Sequence, residues 1–356
     1  MEGQFKPGSD FAKFLDNNDL LGYVRKRFYI KENCIYMCGN SLGLASKDSE
    51  ETALKVLDKW KNEDRYAIES QVRLKGYTPE EAIKVVECTD KYIEEDDVIA
   101  AMTEDVAIVF LPVVYYRTAQ VLDMKKITEA AKERGILIGW DLCHAVGVLE
   151  MDFKSLDIDF AVWCTYKYLN GGPGSPAALY INRKHFNHQP GLAGWFGNRS
   201  ETQFMLRQNF EHRKDAGGWQ IGTPPLLSMG ALEGSLKIFA DVGMVAIRKK
   251  SLRITGYLIY LIDEKLTKFG FSVGNLREDS KRGGHVCLEH DEGYRISLAM
   301  KARGVIPDFR DPNVIRLAPT ALYTSYEEVY NMVDIIIDIV KSETYKEFSV
   351  KRNLVV

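Results

Sequence analysis

Apolar and polar positions follow one another along this chain in blocks that predict an α/β protein. Val106-Ala107-Ile108-Val109-Phe110-Leu111 is an unbroken apolar run, the pattern of a strand covered on both faces. Residues 124–134 (MKKITEAAKER) gather their apolar positions on one side of a helix, and Gly135 stops it. Ile136-Leu137-Ile138-Gly139-Trp140 predicts the next buried strand, ending on Asp141. Residues 157–164 (DIDFAVWC) predict a third, ending just before Lys167. Strand, helix and strand in this order argue for a parallel sheet with right-handed crossovers. Upstream, residues 10–35 read as a helix and a loop leading to the short run Cys34–Cys38 and a turn at 39–43. Residues 47–62 read as a helix charged on one face, and 79–102 as a charged helical or loop stretch. Downstream, 226–270 read as long helices, followed by short strands and helices at 284–289, 293–303, 314–317 and 326–342. The expected organisation is an N-terminal helical segment (1–35), a large domain with a mainly parallel sheet (36–235) and a smaller α+β domain (236–356).

Composition narrows the classes of function. With 356 residues, 46% of them hydrophobic, the chain can bury a substantial core. A net charge of −3 supplies no general electrostatic reason to bind nucleic acid or an anionic membrane. The six cysteines form no CxxC pair, and Cys143 and Cys164 sit in apolar, strand-like contexts. Buried reduced thiols in a reducing compartment are the expectation. The polar N-terminus has neither the apolar core of a signal peptide nor the Arg-rich character of a transit peptide, and no uncharged apolar run reaches membrane-span length. A soluble cytoplasmic protein is expected.

Ligands of parallel sheets gather beyond the carboxyl ends of the strands, where Asp141, His144, Tyr166 and Lys167 all fall. Asp141 closes one strand, and Lys167 follows the next, 26 residues on. A lysine that can form an imine, a carboxylate to keep a pyridine nitrogen protonated and nearby phosphate donors are what pyridoxal 5′-phosphate requires of a protein. Taken singly, each residue has a plainer reading. An Asp after a strand caps a turn, a Lys beside the Gly-rich loop 170–174 is a surface charge, and a lone His is structural. Their combination at one sheet edge carries the chemical reading. His185 and His188 lie in a polar loop with no carboxylate or thiol cluster near them in sequence, which argues against a metal site. Ser41 lacks a GxSxG context, which argues against a hydrolase elbow.

Several blocks resemble the kynureninase family. They are Tyr36-Met37-Cys38-Gly39-Asn40-Ser41-Leu42-Gly43-Leu44, Trp140-Asp141-Leu142-Cys143-His144-Ala145-Val146-Gly147, Trp163-Cys164-Thr165-Tyr166-Lys167-Tyr168-Leu169-Asn170, Gly194-Trp195-Phe196-Gly197, the Pro pair at 224–225, 248–262 (RKKSLRITGYLIYLI) and Ile315-Arg316-Leu317-Ala318-Pro319. The likeness runs from about residue 20 to 345. It implies a fold type I, aminotransferase class V-like enzyme that depends on pyridoxal phosphate. It implies Lys167 as the Schiff-base lysine and acid/base, Asp141 against the pyridinium, His144 at the ring, and Tyr166 at the phosphate and in proton transfer. Asp64, Trp195 and Thr223 match cofactor-site positions, some of them supplied across a homodimer. Arg316 would clamp the substrate α-carboxylate, with Asn40 and Ser41 also at the substrate. The implied reaction is hydrolytic Cβ–Cγ cleavage of L-kynurenine or 3-hydroxy-L-kynurenine to an anthranilate and L-alanine, in tryptophan catabolism and NAD biosynthesis.

The chain departs from the family at Trp60-Lys61-Asn62-Glu63-Asp64, which joins two blocks that kynureninases separate by a long segment. That segment carries phosphate donors, a sheet strand and part of the substrate pocket. The ring-stacking aromatic matches Lys61, and a family serine matches Pro112. Gly222 and Thr223 stand where some members have Ser and Asn. Weakened cofactor retention is expected, since each lost charge-assisted hydrogen bond is worth about 1.5–3 kcal/mol. Two other readings compete with an active kynureninase. One is an impaired or non-catalytic relative that partners a full-length chain. The other is a cysteine desulfurase or aminotransferase of the same fold, for which Cys88 and Cys287 lack the mobile Gly/Ser-rich setting a desulfurase needs.

Overall fold

The computed structural model describes residues 5–40, 43–44, 46, 65–88, 90–205 and 207–350. Ser41, Asp64, the helix expected at 47–62 and the Trp60–Asp64 junction lie outside these residues. In chain order the described elements are α1 (Ser9–Asn17), β1 (Ile35–Tyr36), α2 (Arg65–Leu74), α3 (Pro79–Ala82), α4 (Glu95–Ala100), β2 (Ile108–Pro112), α5 (Met124–Glu133), β3 (Leu137–Asp141), α6 (Phe153–Leu156), β4 (Phe160–Cys164), β5 (Ala177–Ile181), α7 (Leu226–Val242), α8 (Met244–Lys265), β6 (Ser272–Val273), β7 (Val286–Glu289), α9 (Gly293–Ala302), β8 (Val305–Ile306), β9 (Asp308–Arg310), β10 (Val314–Leu317) and α10 (Tyr326–Lys341).

The first sheet runs β2-β3-β4-β5. β2, β3 and β4 are parallel, and β5 returns antiparallel to β4. Between β2 and β3, α5 forms because Met124, Ile127, Ala130 and Ala131 make one buried stripe. Asp123 caps it by accepting the Lys126 N–H at 3.0 Å. Gly135, at φ +69°, ends the turn beyond it. Trp140, fully buried in β3, donates Nε1–H to Thr128 Oγ1 at 3.2 Å and so ties the helix to the strand. β2 departs from the expectation of coverage on both faces. It is the edge strand of the described sheet, and Ile108 is 53% exposed.

The second sheet, β6-β7-β10-β9, is antiparallel. Its core includes Tyr257, Leu261 and Ile262 of α8, Met300 of α9, and Val329, Val333 and Ile336 of α10. Ser325 and Glu328 form a capping box that starts α10. Ala12 and Leu15 of α1 belong to the same core. Asp16 accepts the N–H groups of Tyr326 and Glu327 at 2.6 and 3.0 Å, which seats α1 on the positive end of α10. β1 pairs parallel with β8, so residues just after the N-terminal segment also join this half. The domain boundary expected at 235/236 falls within the continuous helix α7.

The two halves are stitched by backbone bonds. Val121 donates to Lys281 O at 3.0 Å and Gly283 to Ala119 O at 2.8 Å. No helix among the described residues is long and apolar enough to cross a membrane.

Gly139 faces Phe160 across the β3–β4 ladder, and a Cβ there would overlap the phenyl ring. Gly139→Ala is therefore expected to destabilise the fold by about 1–3 kcal/mol through overpacking. Urea denaturation of the variant against the parent checks this.

Candidate active site

The site begins where β3 and β4 end side by side. Their register pairs Asp141 with Val162, and the Leu142 N–H continues the ladder to Val162 O at 2.9 Å. Asp141 Oδ1 then accepts the Cys143 N–H at 2.7 Å, which turns the chain and carries His144 over the strand ends. After β4 the backbone winds into a tight loop. Asn170 N–H reaches Lys167 O at 3.0 Å, Gly171 N–H reaches Thr165 O at 2.9 Å, and Gly43 N–H reaches Tyr166 O at 3.1 Å. Thr165 pins the loop's root through Ser175 Oγ and Pro176 O, each at 2.5 Å. Tyr166 and Lys167 thus project from a fixed turn, half-buried.

Lys167 Nζ lies 5.7 Å from the centre of the Tyr166 ring. Its charge acts on the thiols of Cys164 and Cys143 and on His144. The Asp141 carboxylate acts on the same Cys143 thiol. The expected lysine and carboxylate therefore both act on one thiol. Among the described residues Lys167 has no carboxylate ion-pair partner, and Asp141 Oδ2 has no hydrogen-bond partner. Burial, reinforced by the charges of Lys167, His285, Arg316 and Arg310, holds His144 well below the ordinary histidine range, so its ring is neutral at pH 7. Its Nδ1 is sealed from solvent and without a partner.

The other wall comes from the second sheet. Arg316 of β10 is 1% exposed and sits opposite Asp308 of β9. Its Nε donates to Asp308 Oδ2 at 2.5 Å, its Nη2 donates to the same oxygen, and its Nη1 donates to Tyr116 O at 2.9 Å. Tyr116 O also accepts from His285 Nε2 at 3.1 Å. The His285 ring stands 5.8 Å from that of His144, completing a path from Arg316 to Lys167. Burial and the neighbouring Arg316 push His285 down to about 3. Asn40 follows β1, alongside the Cys38–Ala318 bridge just beyond β10. It is fully buried, and neither polar atom of its side chain has a partner among the described residues.

The expected site residues divide accordingly. Asp141 and Lys167 stand just past the paired ends of β3 and β4, His144 lies within electrostatic reach of both Lys167 and Arg316, and Asn40 lies next to the strand that bears Arg316. Ser41 and Asp64 lie outside the described residues. Trp195 and Thr223 are exposed, and no hydrogen bond, ion pair or ring contact joins them to Lys167, Asp141 or His144. Sequence reasoning missed Tyr116, His285, Arg310 and Asp308. Only Asp308 left a trace, as a carboxylate eight residues before Arg316 in a strand–turn–strand pattern. His185 is tied to the sheet by one carboxylate distant in sequence, since buried Asp159 accepts from His185 Nε2 at 2.6 Å. Asp159 also accepts from the Ile138 N–H and pairs with Lys184, each at 2.8 Å.

A lysine and a carboxylate on neighbouring parallel strand ends, under a wall from an antiparallel sheet, belong to the fold type I class of pyridoxal-phosphate-dependent enzymes. Solved structures agree on the fold. The apo cysteine desulfurase of Thermococcus onnurineus NA1 superposes with a TM-score of 0.72 at 14% identity, covering 90% of this chain and 98% of that one. The cysteine desulfurase CsdA of Escherichia coli gives 0.69 at 13% identity, over 96% and 100%. An alanine–glyoxylate aminotransferase of Nostoc sp. gives 0.58 at 14%, over 94% and 90%. Residues 247–336 match the family model described as the kynureninase C-terminal domain. The kynureninase of Geobacillus thermodenitrificans is 43% identical, over 98% of each chain, and that of Bacillus thuringiensis subsp. konkukian is 44% identical, over 99% of each. The chain belongs to the kynureninase family. The first of these alignments spans 421 positions against a chain of 356 residues, so at least 65 aligned positions (421 less 356) have no counterpart here.

The buried histidines set a pH dependence of stability. His285 titrates near 3 when folded and near 6.5 when unfolded, so between those values the unfolded chain binds the extra proton. Stability therefore falls as pH drops below about 6.5, by roughly 1.4 kcal/mol per unit for this one group. Urea denaturation at pH 6.5 and pH 5 is expected to show this loss, and His285→Gln is expected to show a shallower one.

Proposed function

We propose that this chain hydrolyses the Cβ–Cγ bond of L-kynurenine or 3-hydroxy-L-kynurenine, releasing an anthranilate and L-alanine. The reading is supported by Asp141 and Lys167 standing just past two paired parallel strands, with His144 within electrostatic reach of both Lys167 and Arg316. The residues fit pyridoxal phosphate. Lys167 is without a carboxylate partner, Asp141 keeps one oxygen uncommitted, and Asn40 and His144 hold buried polar atoms that a bound molecule would satisfy. When bound, the cofactor supplies an aldehyde for the lysine amine and a protonated pyridine ring that takes up the electron pair of the breaking bond.

With the cofactor bound, Asp141 would hold a proton on the ring nitrogen, and neutral His144 would set no second positive charge beside the ring. Lys167 would take the proton from substrate Cα, and Tyr166 would serve in proton transfer. Arg316, oriented by Asp308 and the Tyr116 carbonyl, binds the α-carboxylate. We read the chain as a large unit (36–235) that carries the lysine and a small unit (236–356) that carries the arginine, with segment 1–35 packed on the latter. A cytoplasmic location is supported by the free cysteines.

A second reading is favoured by the 65 or more absent aligned positions: a chain that holds the cofactor weakly and serves as partner to a full-length relative. One experiment separates the two. After purification with pyridoxal phosphate, an active enzyme releases fluorescent anthranilate from kynurenine and yields a borohydride-stable adduct on the Lys167 peptide. Lys167→Ala is expected to lower turnover by at least about 10²–10⁴-fold, the range for a positioned acid–base group. A parent chain that forms the adduct but releases no anthranilate supports the second reading, and an active Lys167→Ala variant refutes the first.

A homodimer is supported by large apolar side chains left exposed between residues 192 and 236, among them Leu192, Trp195, Phe204, Ile221 and Leu226. Trp195 and Thr223 lie in this stretch, as they would if they served a partner's site. Light scattering is expected to give the mass of a dimer, and Leu226→Asp combined with Phe204→Asp to shift it toward the monomer.

A further inference from the structure

Two cysteines lie beside the proposed active-site lysine with no part in the chemistry above. The β3–β4 register offsets partners by 21 residues, Asp141 against Val162. Carried two residues on, the same offset brings Cys143 alongside Cys164. The Cys164 N–H donates to Cys143 Sγ at 3.3 Å, so the sulfur of one is held over the backbone of the other. Both cysteines are reduced and half-buried at the strand ends.

Their surroundings make the two thiols unlike. The Cys143 S–H bonds to Cys164, and the charge of Lys167 with hydrogen bonds from Lys167 and Tyr166 adds to it. Against the cost of burial, these hold the Cys164 thiol below its ordinary range, while Cys143, the donor, is pushed up. Cys164 therefore carries more thiolate at neutral pH than an ordinary cysteine, with a second thiol poised to resolve it. Cys34 and Cys287 are both pushed up by burial instead.

We propose that Cys143 and Cys164 form a peroxide-responsive dithiol that closes reversibly into a disulfide next to Lys167. The Cys164 thiolate attacks hydrogen peroxide, breaking the O–O bond and leaving a sulfenic acid and hydroxide. The Cys143 sulfur then displaces the sulfenic oxygen. Its proton leaves with that oxygen, so two thiols and one peroxide become one disulfide and two waters. The bond ties up the Cys164 sulfur on which Lys167 acts and draws in Cys143, whose N–H holds Asp141. Formation of the disulfide does not depend on the proposed function; only its effect on catalysis rests on that reading.

The test exposes the full chain, without and with pyridoxal phosphate, to graded hydrogen peroxide, then alkylates free thiols and maps peptides without reduction. A cross-linked Cys143–Cys164 peptide is expected at peroxide doses that leave exposed Cys88 alkylatable, and dithiothreitol is expected to remove it. In Cys143→Ser, Cys164 is expected to accumulate as a sulfenic acid that dimedone traps. In Cys164→Ser, oxidation of Cys143 is expected to slow by about tenfold or more. Anthranilate release in the parent should fall in step with the cross-link and return with dithiothreitol. The proposal is overturned if Cys143 and Cys164 remain alkylatable at doses that oxidise Cys88, whether or not the chain turns over kynurenine.

Discussion

Everything at the crevice depends on the parallel pairing of β3 with β4. Two neighbouring strands running the same way deliver their last residues to the same edge, so the carboxylate closing one and the lysine following the other reach the same end of the sheet without a long loop. The ladder Gly139–Phe160, Trp140–Ala161 and Asp141–Val162 sets the height of each end. The glycine is required because the phenyl ring of Phe160 occupies the space a side chain would need. A slip of one residue would turn Asp141 to the opposite face of the sheet. Trp140, buried between this sheet and α5, opposes such a slip through its packing and its bond to Thr128.

The second sheet brings its own charged groups toward these strand ends. β10 brings in Arg316, and Asp308 on the adjacent strand holds that guanidinium in one orientation. The Tyr116 carbonyl, from the loop after β2, accepts from both Arg316 and His285 and so joins the two sheets at one oxygen. Packing so many cationic groups around a dry cleft has a definite consequence. Histidines there stay neutral, since a further positive charge would meet both desolvation and repulsion. A neutral imidazole next to Lys167 and an arginine braced by its own carboxylate are separate outcomes of one electrostatic arrangement. The Cys143–Cys164 pair sits at its foot, where a sulfur can share the field of the lysine.

The features legible in the sequence were those encoded locally. β3, α5 and β4 announced themselves by runs and periods, and Asp141 and Lys167 by standing just past them. Arg316 was legible from the block Ile315–Pro319. β5 was not, because Ala177–Ile181 alternates weakly and runs antiparallel to a neighbour that a crossover pattern does not foretell. β1 and β8 escaped notice because each is two residues long and stable only against the other. The Asp159–His185 bond was hidden by a separation of 26 positions, although it anchors the loop after β5. The exposure of Ile108 in an otherwise apolar run marks where hydrophobic pattern and actual coverage part company.

The chain alone determined the strand-helix-strand order, the residues standing at the strand ends and the family blocks that surround them, because periodicity and motif spacing act over neighbouring residues. Tertiary structure decided which groups share the cleft, which histidines lose their proton, which carboxylate braces Arg316, and that two scattered cysteines lie one against the other. These depend on burial and on pairs far apart in sequence, and the charge or reactivity of a side chain is fixed by what surrounds it in space.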